Sequence, residues 1–97
     1  MIESFGDKAT EDLYKGVASA QARRRLPKSA VPVAQRKLDY LNSATTLGDL
    51  RVPPGNRLEK LKGDLDGMHS IRINDQYRII FYWDEDGPEE VQIVDYH

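Results

Sequence analysis

The sequence contains no cysteine, so neither disulfides nor thiolate metal sites hold the fold together. Histidine occurs only at His69 and His97, a spacing that offers little to a metal ion. No metal or other cofactor is expected. No apolar run approaches the roughly 20 residues that span a bilayer. The opening Met1-Ile2-Glu3-Ser4-Phe5 lacks the basic-then-apolar order of a secretory signal. The expected compartment is therefore the cytosol, with no membrane contact. Repeats and low-complexity tracts are also missing. What remains is a chain of 97 residues with 39% hydrophobic content, enough for one domain, 1–97, around one modest core.

Net charge is −2, which at first argues against a polyanion partner, but the average hides an asymmetry. Residues 21–62 carry 10 basic groups against 3 acidic ones, and residues 63–97 carry 2 basic against 9 acidic. The basic middle includes Arg57, Lys60 and Lys62. It can face a nucleic acid while the acidic part faces away. The plainer alternative is a pair of ordinary solvated faces.

Local patterns order the elements. Ile2–Phe5 reads as a short N-terminal strand. Residues 8–16 read as a helix, with Thr10 as N-cap, Leu13 and Val17 four apart and Gly16 near the stop. Arg23-Arg24-Arg25-Leu26-Pro27 is linker-like. The clearest helix runs from about Val31 to Ala44. Pro32 lies in its first turn, Ala34, Leu38, Leu41 and Thr45 recur on one face, and Gln35, Lys37 and Asp39 face away. A single turn is expected at Leu47–Leu50 and a stop at Pro53-Pro54-Gly55. The period then changes to two. Strands are expected at Arg57–Leu61, His69–Ile73, Tyr77–Trp83 and Val91–Asp95, with Asp84–Pro88 as a turn. Helices first and a strand meander after them make the class α+β, with a largely antiparallel sheet.

Register in the hairpin follows from its apolar pattern. A three-residue turn at 74–76 pairs Ile71 with Ile79 and His69 with Phe81, keeping apolar side chains on one face. The other face then sets Arg72 directly across from Arg78. Like charges opposite each other destabilise a sheet, a cost understandable if the two guanidiniums meet a phosphate. Alternatively Asp75, Glu85 or the acidic tail neutralises them. His69, on the apolar face, reads as a core or partly buried residue. The chain ends Val94-Asp95-Tyr96-His97, where fraying is the ordinary expectation, but the strand running to Asp95 ties this ending down.

Cleaving RNA without a metal needs a group to take the 2′-OH proton, cations for the phosphate, and an acid for the leaving oxygen. Glu59, Arg78 with Lys62, and His97 suit those tasks in that order. Asp95 could orient His97 or act as a base, and Tyr96 could stack on a base or bond a phosphate.

Several runs resemble the HigB-like toxins (plasmid maintenance killer proteins) of the RelE/ParE superfamily. They are Leu47-Gly48-Asp49-Leu50-Arg51, Pro53-Pro54-Gly55-Asn56-Arg57-Leu58-Glu59, Leu61-Lys62-Gly63-Asp64, His69 to Ile79, and Val94-Asp95-Tyr96-His97. The resemblance covers nearly the whole chain. It implies two N-terminal helices packed on a small curved sheet of about 4–5 strands. It also implies an mRNA interferase, an endoribonuclease acting on translating ribosomes. A HigA-like helix-turn-helix antitoxin would inhibit it, and the chain would meet operator DNA only through that antitoxin. Carried over by position, Lys62 and Arg78 hold the scissile phosphate, and Asp95, Tyr96 and His97 complete the site. Arg57, Lys60 and Arg72 join as RNA contacts, although Arg72 is not shared by every member. Glu59 stands where some members carry a catalytic histidine, so the base is Glu59 or Asp95, or activity is weak. Two other readings stay open: a ParE-like inhibitor that binds without cutting, and a weak enzyme kept as an antitoxin-binding corepressor.

Overall fold

The computed structural model describes residues 1–96; His97, one of the expected site residues, lies outside the described residues. Helix α1 spans Lys8–Lys15, α2 Ala20–Arg25 and α3 Val31–Ser43. Strands follow at Glu59–Lys60 (β1), His69–Arg72 (β2), Tyr77–Asp84 (β3) and Gly87–Asp95 (β4). The four form one antiparallel sheet in the order β1-β2-β3-β4.

The helices differ from the sequence reading at their ends. Asp7, not Thr10, caps α1: its Oδ1 accepts the Thr10 N–H at 2.8 Å. Thr10 is instead buried, and its Oγ1 accepts the Ile93 N–H of β4 at 2.9 Å. The stretch expected as a linker is largely α2. Ser19 Oγ accepts the Ala22 N–H at 3.1 Å, and Ala-Gln-Ala-Arg-Arg-Arg is a run of strong helix formers. Leu26, restricted by Pro27, ends it. Among the described residues there are thus three α-helices rather than two. Ile2–Phe5 forms no full strand; only Phe5 bridges β4, in parallel, opposite Val91. The expected strand at Arg57–Leu61 shrinks to Glu59–Lys60, because Arg57 adopts a left-handed backbone (φ 46°) that no extended strand accepts.

Register in the β2–β3 hairpin agrees with the apolar pattern: His69 faces Phe81, Ile71 faces Ile79, and Arg72 faces Arg78. Asn74 closes the turn, its Oδ1 accepting the Gln76 and Tyr77 N–H groups at 2.9 and 2.8 Å. A bulge interrupts β3–β4 between Ile80 and Tyr82, and Glu90 on β4 takes a positive φ of 51°.

Ile71, Ile79, Phe81, Val91 and Ile93 line one face of the sheet and bury against Leu13, Ala34, Leu38 and Leu41 of the helices. Each large aliphatic contributes about 1.5–3 kcal/mol by leaving water. Arg25 ties α2 to both neighbours, donating to Asp7 Oδ2 and to the Ile93 carbonyl at 2.7 Å each. Burial alone would raise the Asp7 carboxyl, but hydrogen bonds from Arg25 and Thr10 outweigh it and hold the group below the usual aspartate range. Asp7→Ala is therefore expected to cost about 1–2 kcal/mol at neutral pH in urea unfolding. The folded pKa lies below the unfolded one, so this contribution is complete above about pH 4 and fades as pH falls further. A gap between wild type and variant that stays constant down to acid pH would contradict this.

Candidate functional site

The second face of the sheet carries the chemistry. Along β3 the side chains alternate, so Arg78 and Ile80 point away from the helices. Ile80 is nevertheless buried, because the segment after β1 folds back over it. Leu61, Met68 and Ile80 form a small second cluster with Leu65 and Val94 packed against it. Arg78, two residues before Ile80 on the same face, is only 8% exposed.

The buried guanidinium has a definite partner for each nitrogen. Nε donates to Ser70 Oγ at 2.8 Å, and Nη2 donates to the Arg57 carbonyl at 2.6 Å. Nη1 stands 3.6 Å from Glu59 Oε1. The Tyr96 ring lies over the guanidinium, 5.4 Å from centroid to Cζ, within cation–π range. Two nitrogens are thus held by neutral oxygens that neither move far nor neutralise charge. The third faces an exchangeable carboxylate at the surface.

The neighbours reach this point by simple rules. Glu59 pairs with Ser70 in the β1–β2 register, so it shares the Arg78 face, and it is half exposed. Tyr96 follows β4, its N–H donating to the Gln76 carbonyl at 2.6 Å, and it is 40% exposed. Arg72 stands opposite Arg78, and the repulsion is reduced because Arg72 forms an ion pair with Asp75, the first of the three neutralising sources considered.

Other expected site residues are placed differently. Asp95 pairs with Tyr77 and so stands on the helix side of β4; its Oδ2 accepts from Gln76 Nε2 at 3.0 Å. It helps line a polar cavity of about 390 Å³ with Arg24, Arg25 and Tyr77. Arg57 offers the site its backbone carbonyl, while its side chain is exposed. Lys60 pairs with His69, on the face away from Glu59. Lys62 is exposed at the start of the Gly63–Leu65 turn. His69 is half-buried, with its ring centroid 6.1 Å from that of Phe81. Burial first, and then the Lys60 charge, lower its pKa and favour the neutral imidazole. Among the described residues, no cluster of three or more His, Cys, Asp or Glu could hold a metal ion, and no helix is long and apolar enough to cross a membrane.

Three residues in this neighbourhood escaped sequence reasoning. Ser70 falls on the Arg72 and Arg78 face once the register is drawn, so it was findable. Lys37, expected to face solvent from α3, is only 6% exposed, and its Nζ donates to Asn56 Oδ1. Asn56 is fully buried, with Nδ2 donating to the Leu50 carbonyl at 3.1 Å and the Val52 carbonyl at 3.4 Å. Helical periodicity reports which face a residue occupies and cannot register a long side chain bending back to a loop.

Comparison with known proteins points in one direction. The HigB-like toxin family, described as RelE-like toxins of the type II toxin-antitoxin system HigB, matches residues 3–97. Toxin HigB-1 of Vibrio cholerae serotype O1 is 45% identical over 83 residues, covering 86% of this chain and 84% of that protein. Endoribonuclease HigB of Proteus vulgaris is 32% identical over 98 residues, with full coverage of both chains. Among solved structures, the YoeB dimer of Staphylococcus aureus superimposes with a TM-score of 0.60 at 26% identity, over 99% of this chain and 94% of that one. The YoeB-YefM complex of the same organism gives a TM-score of 0.61 at 20% identity, over 100% of this chain and 98% of that one, a likeness of fold.

Proposed function

The chain belongs to the HigB-like, RelE-like toxins of type II toxin–antitoxin systems, and we propose on that premise that it is an endoribonuclease cutting mRNA on translating ribosomes. A HigA-like helix-turn-helix antitoxin would silence it, and the pair would bind operator DNA through that antitoxin. The observation that carries the catalytic reading is the Arg78 guanidinium, fixed by Ser70 and the Arg57 carbonyl with Nη1 turned toward Glu59.

In the proposed reaction a base takes the 2′-OH proton, and the 2′-oxygen attacks the adjacent phosphorus. The bond to the 5′-oxygen then breaks, and an acid protonates that oxygen. The products are a 2′,3′-cyclic phosphate and a 5′-hydroxyl. Arg78 stabilises the charge gathering on the phosphate oxygens, with Lys62 and Arg72 as further cations and Arg57 and Lys60 along the RNA path. Glu59 is the better-supported base, because it shares the Arg78 face whereas Asp95 stands on the other side of β4. Tyr96, whose ring lies over the Arg78 guanidinium, would stack on a base or shield that charge. His97 is assigned the acid role by family resemblance, and Asp95 would orient it.

Mapping mRNA 5′ ends by primer extension after induced expression tests the reading. New ends within translated messages are expected; growth arrest without them would favour inhibition by binding alone. Deleting His97 is expected to abolish toxicity and mRNA cleavage while antitoxin binding persists. Unchanged cleavage by the shortened chain would remove His97 from the mechanism.

A further inference from the structure

Buried cations normally meet a carboxylate, because an uncompensated charge in the interior is costly. Lys37 does not follow that rule. It is nearly fully buried, and among the described residues no carboxylate forms an ion pair with it. Its Nζ donates to the Asn56 side chain and lies 5.6 Å from the Tyr40 ring centroid. A position that only needed filling would be satisfied more cheaply by an apolar residue. The arrangement calls for a use.

The hydrogen bonds show where it leads. Asn56 Oδ1 accepts a hydrogen bond from Lys37 Nζ, and its Nδ2 donates to the Leu50 and Val52 carbonyls. One side chain thus clamps the loop from Leu50 to Asn56 at two carbonyls and joins it to α3 by a third bond. The next residue, Arg57, is held in the left-handed region with φ 46° and ψ 57°. That conformation turns its carbonyl to receive Arg78 Nη2 at 2.6 Å. From Lys37 to the guanidinium the path is Lys37 Nζ, Asn56 Oδ1, the Asn56–Arg57 peptide, the Arg57 carbonyl and Arg78 Nη2. All but the last of these lie off the sheet.

We infer that Lys37 and Asn56 are positioning residues that aim the Arg78 guanidinium, acting through the carbonyl of Arg57. Arg78 has one rotatable long side chain and needs two fixed acceptors to hold its plane. Ser70 on β2 is one; the other is delivered by this loop, whose own bonds are local 3-10 turns, the last closed by the Arg57 N–H on the Pro54 carbonyl at 3.1 Å, and which Asn56 and Lys37 tie to α3. A displacement of about 1 Å at a catalytic group costs up to about 10²-fold in rate. The Lys37 charge, left without a carboxylate, also adds positive potential on the side of the sheet edge where Arg72 stands. Nothing about Lys37 or Asn56 touches the reacting atoms. The inference rests on the catalytic role proposed for Arg78, but the aiming itself is a property of the folded chain.

The test therefore has two arms. In the first, the Nε–H of Arg78 in 15N-labelled protein is followed by NMR in wild type, Lys37→Met and Asn56→Ala. Wild type is expected to show a slowly exchanging Nε–H; both variants are expected to lose that protection while the amides of Ile71, Ile79 and Phe81 stay protected. In the second arm, single-substrate RNA cleavage is measured. Lys37→Met, which keeps the packing and adds no new polar group, is expected to lower kcat about 10- to 100-fold with KM changed less than about threefold. A Leu13→Ala control weakens the core from α1, away from the chain of hydrogen bonds, and the kcat of its folded fraction is expected to match wild type. If Asn56→Ala does not fold, Lys37→Met carries both arms alone. Arg78 Nε–H protection that survives in Lys37→Met overturns the inference. Lost protection with no RNA cleavage by wild type leaves the aiming intact and removes the proposed function instead.

Discussion

Arg78→Ala is expected to reduce single-turnover RNA cleavage about 10²–10³-fold, the typical loss when one preorganised charge-stabilising donor is removed from an active site. The effect should fall on kcat rather than on KM. Lys62 and Arg72 remain to attract the RNA, whereas only Arg78 is held rigidly by Ser70 and the Arg57 carbonyl. Arg78→Lys should recover little. An ammonium keeps the charge but cannot present the fork in which Nε and Nη2 are occupied while Nη1 remains directed at the surface. Because Arg78 is buried, the comparison needs melting curves and the protected core amides beside the rates. A near-normal rate for a folded Arg78→Ala would place the phosphate elsewhere.

Asn56→Leu is expected to destabilise the fold by about 3 kcal/mol, because it strands the Lys37 ammonium and two loop carbonyls in the interior. Adding Lys37→Met should recover a large part of that loss. The signature is a coupling between the two positions rather than two independent penalties, read from urea midpoints of the four proteins in the cycle. Simple additivity would show that Lys37 finds another partner when Asn56 is gone. The same lysine has a pH signature. Burial, followed by the charges of Arg36 and Arg72, lowers its pKa below the ordinary lysine range. The unfolded chain therefore binds more protons than the folded one in the alkaline window below that ordinary range. Stability conferred at this position rises with pH there, and Lys37→Met should abolish the rise.

Much of this was legible in the residues. Alternation fixed the hairpin register, and that register brought Arg72 opposite Arg78; the β1–β2 pairing that sets Glu59 against Ser70 on the same face came only with the structure. The family resemblance marked Arg78, Glu59 and Tyr96 as neighbours in function, and the structure gathers them within one cluster of contacts. Illegible features share one physical cause: they depend on where a side chain ends rather than where it starts. Lys37 begins on a helix position expected to face water and finishes buried on Asn56. Thr10 carries a good capping side chain but uses it on β4, leaving the cap to Asp7. Arg23-Arg24-Arg25, running into Leu26-Pro27, reads as a linker, yet arginine is a strong helix former and Ser19 supplies the cap. Asp95 and Tyr96, adjacent in sequence, were grouped as one unit; on a pleated strand neighbours face opposite sides, and only one of them meets Arg78.

The strand order β1-β2-β3-β4 also governs how the chain finds its shape. Every pairing in the sheet joins sequence neighbours, while the ties from α1 and α2 to β4 reach across most of the chain, from Thr10 and from Arg25 to Ile93. Short loops close faster than long ones, so the meander can assemble before the helices dock. Until they do, Ile71, Ile79, Phe81, Val91 and Ile93 present a bare apolar face, the kind of surface that aggregates or engages a chaperone. The opposite face, with Arg78 and Glu59, exposes less, because its one apolar cluster around Ile80 is covered by the segment between β1 and β2, although Arg78 gains the link to Lys37 only when α3 docks.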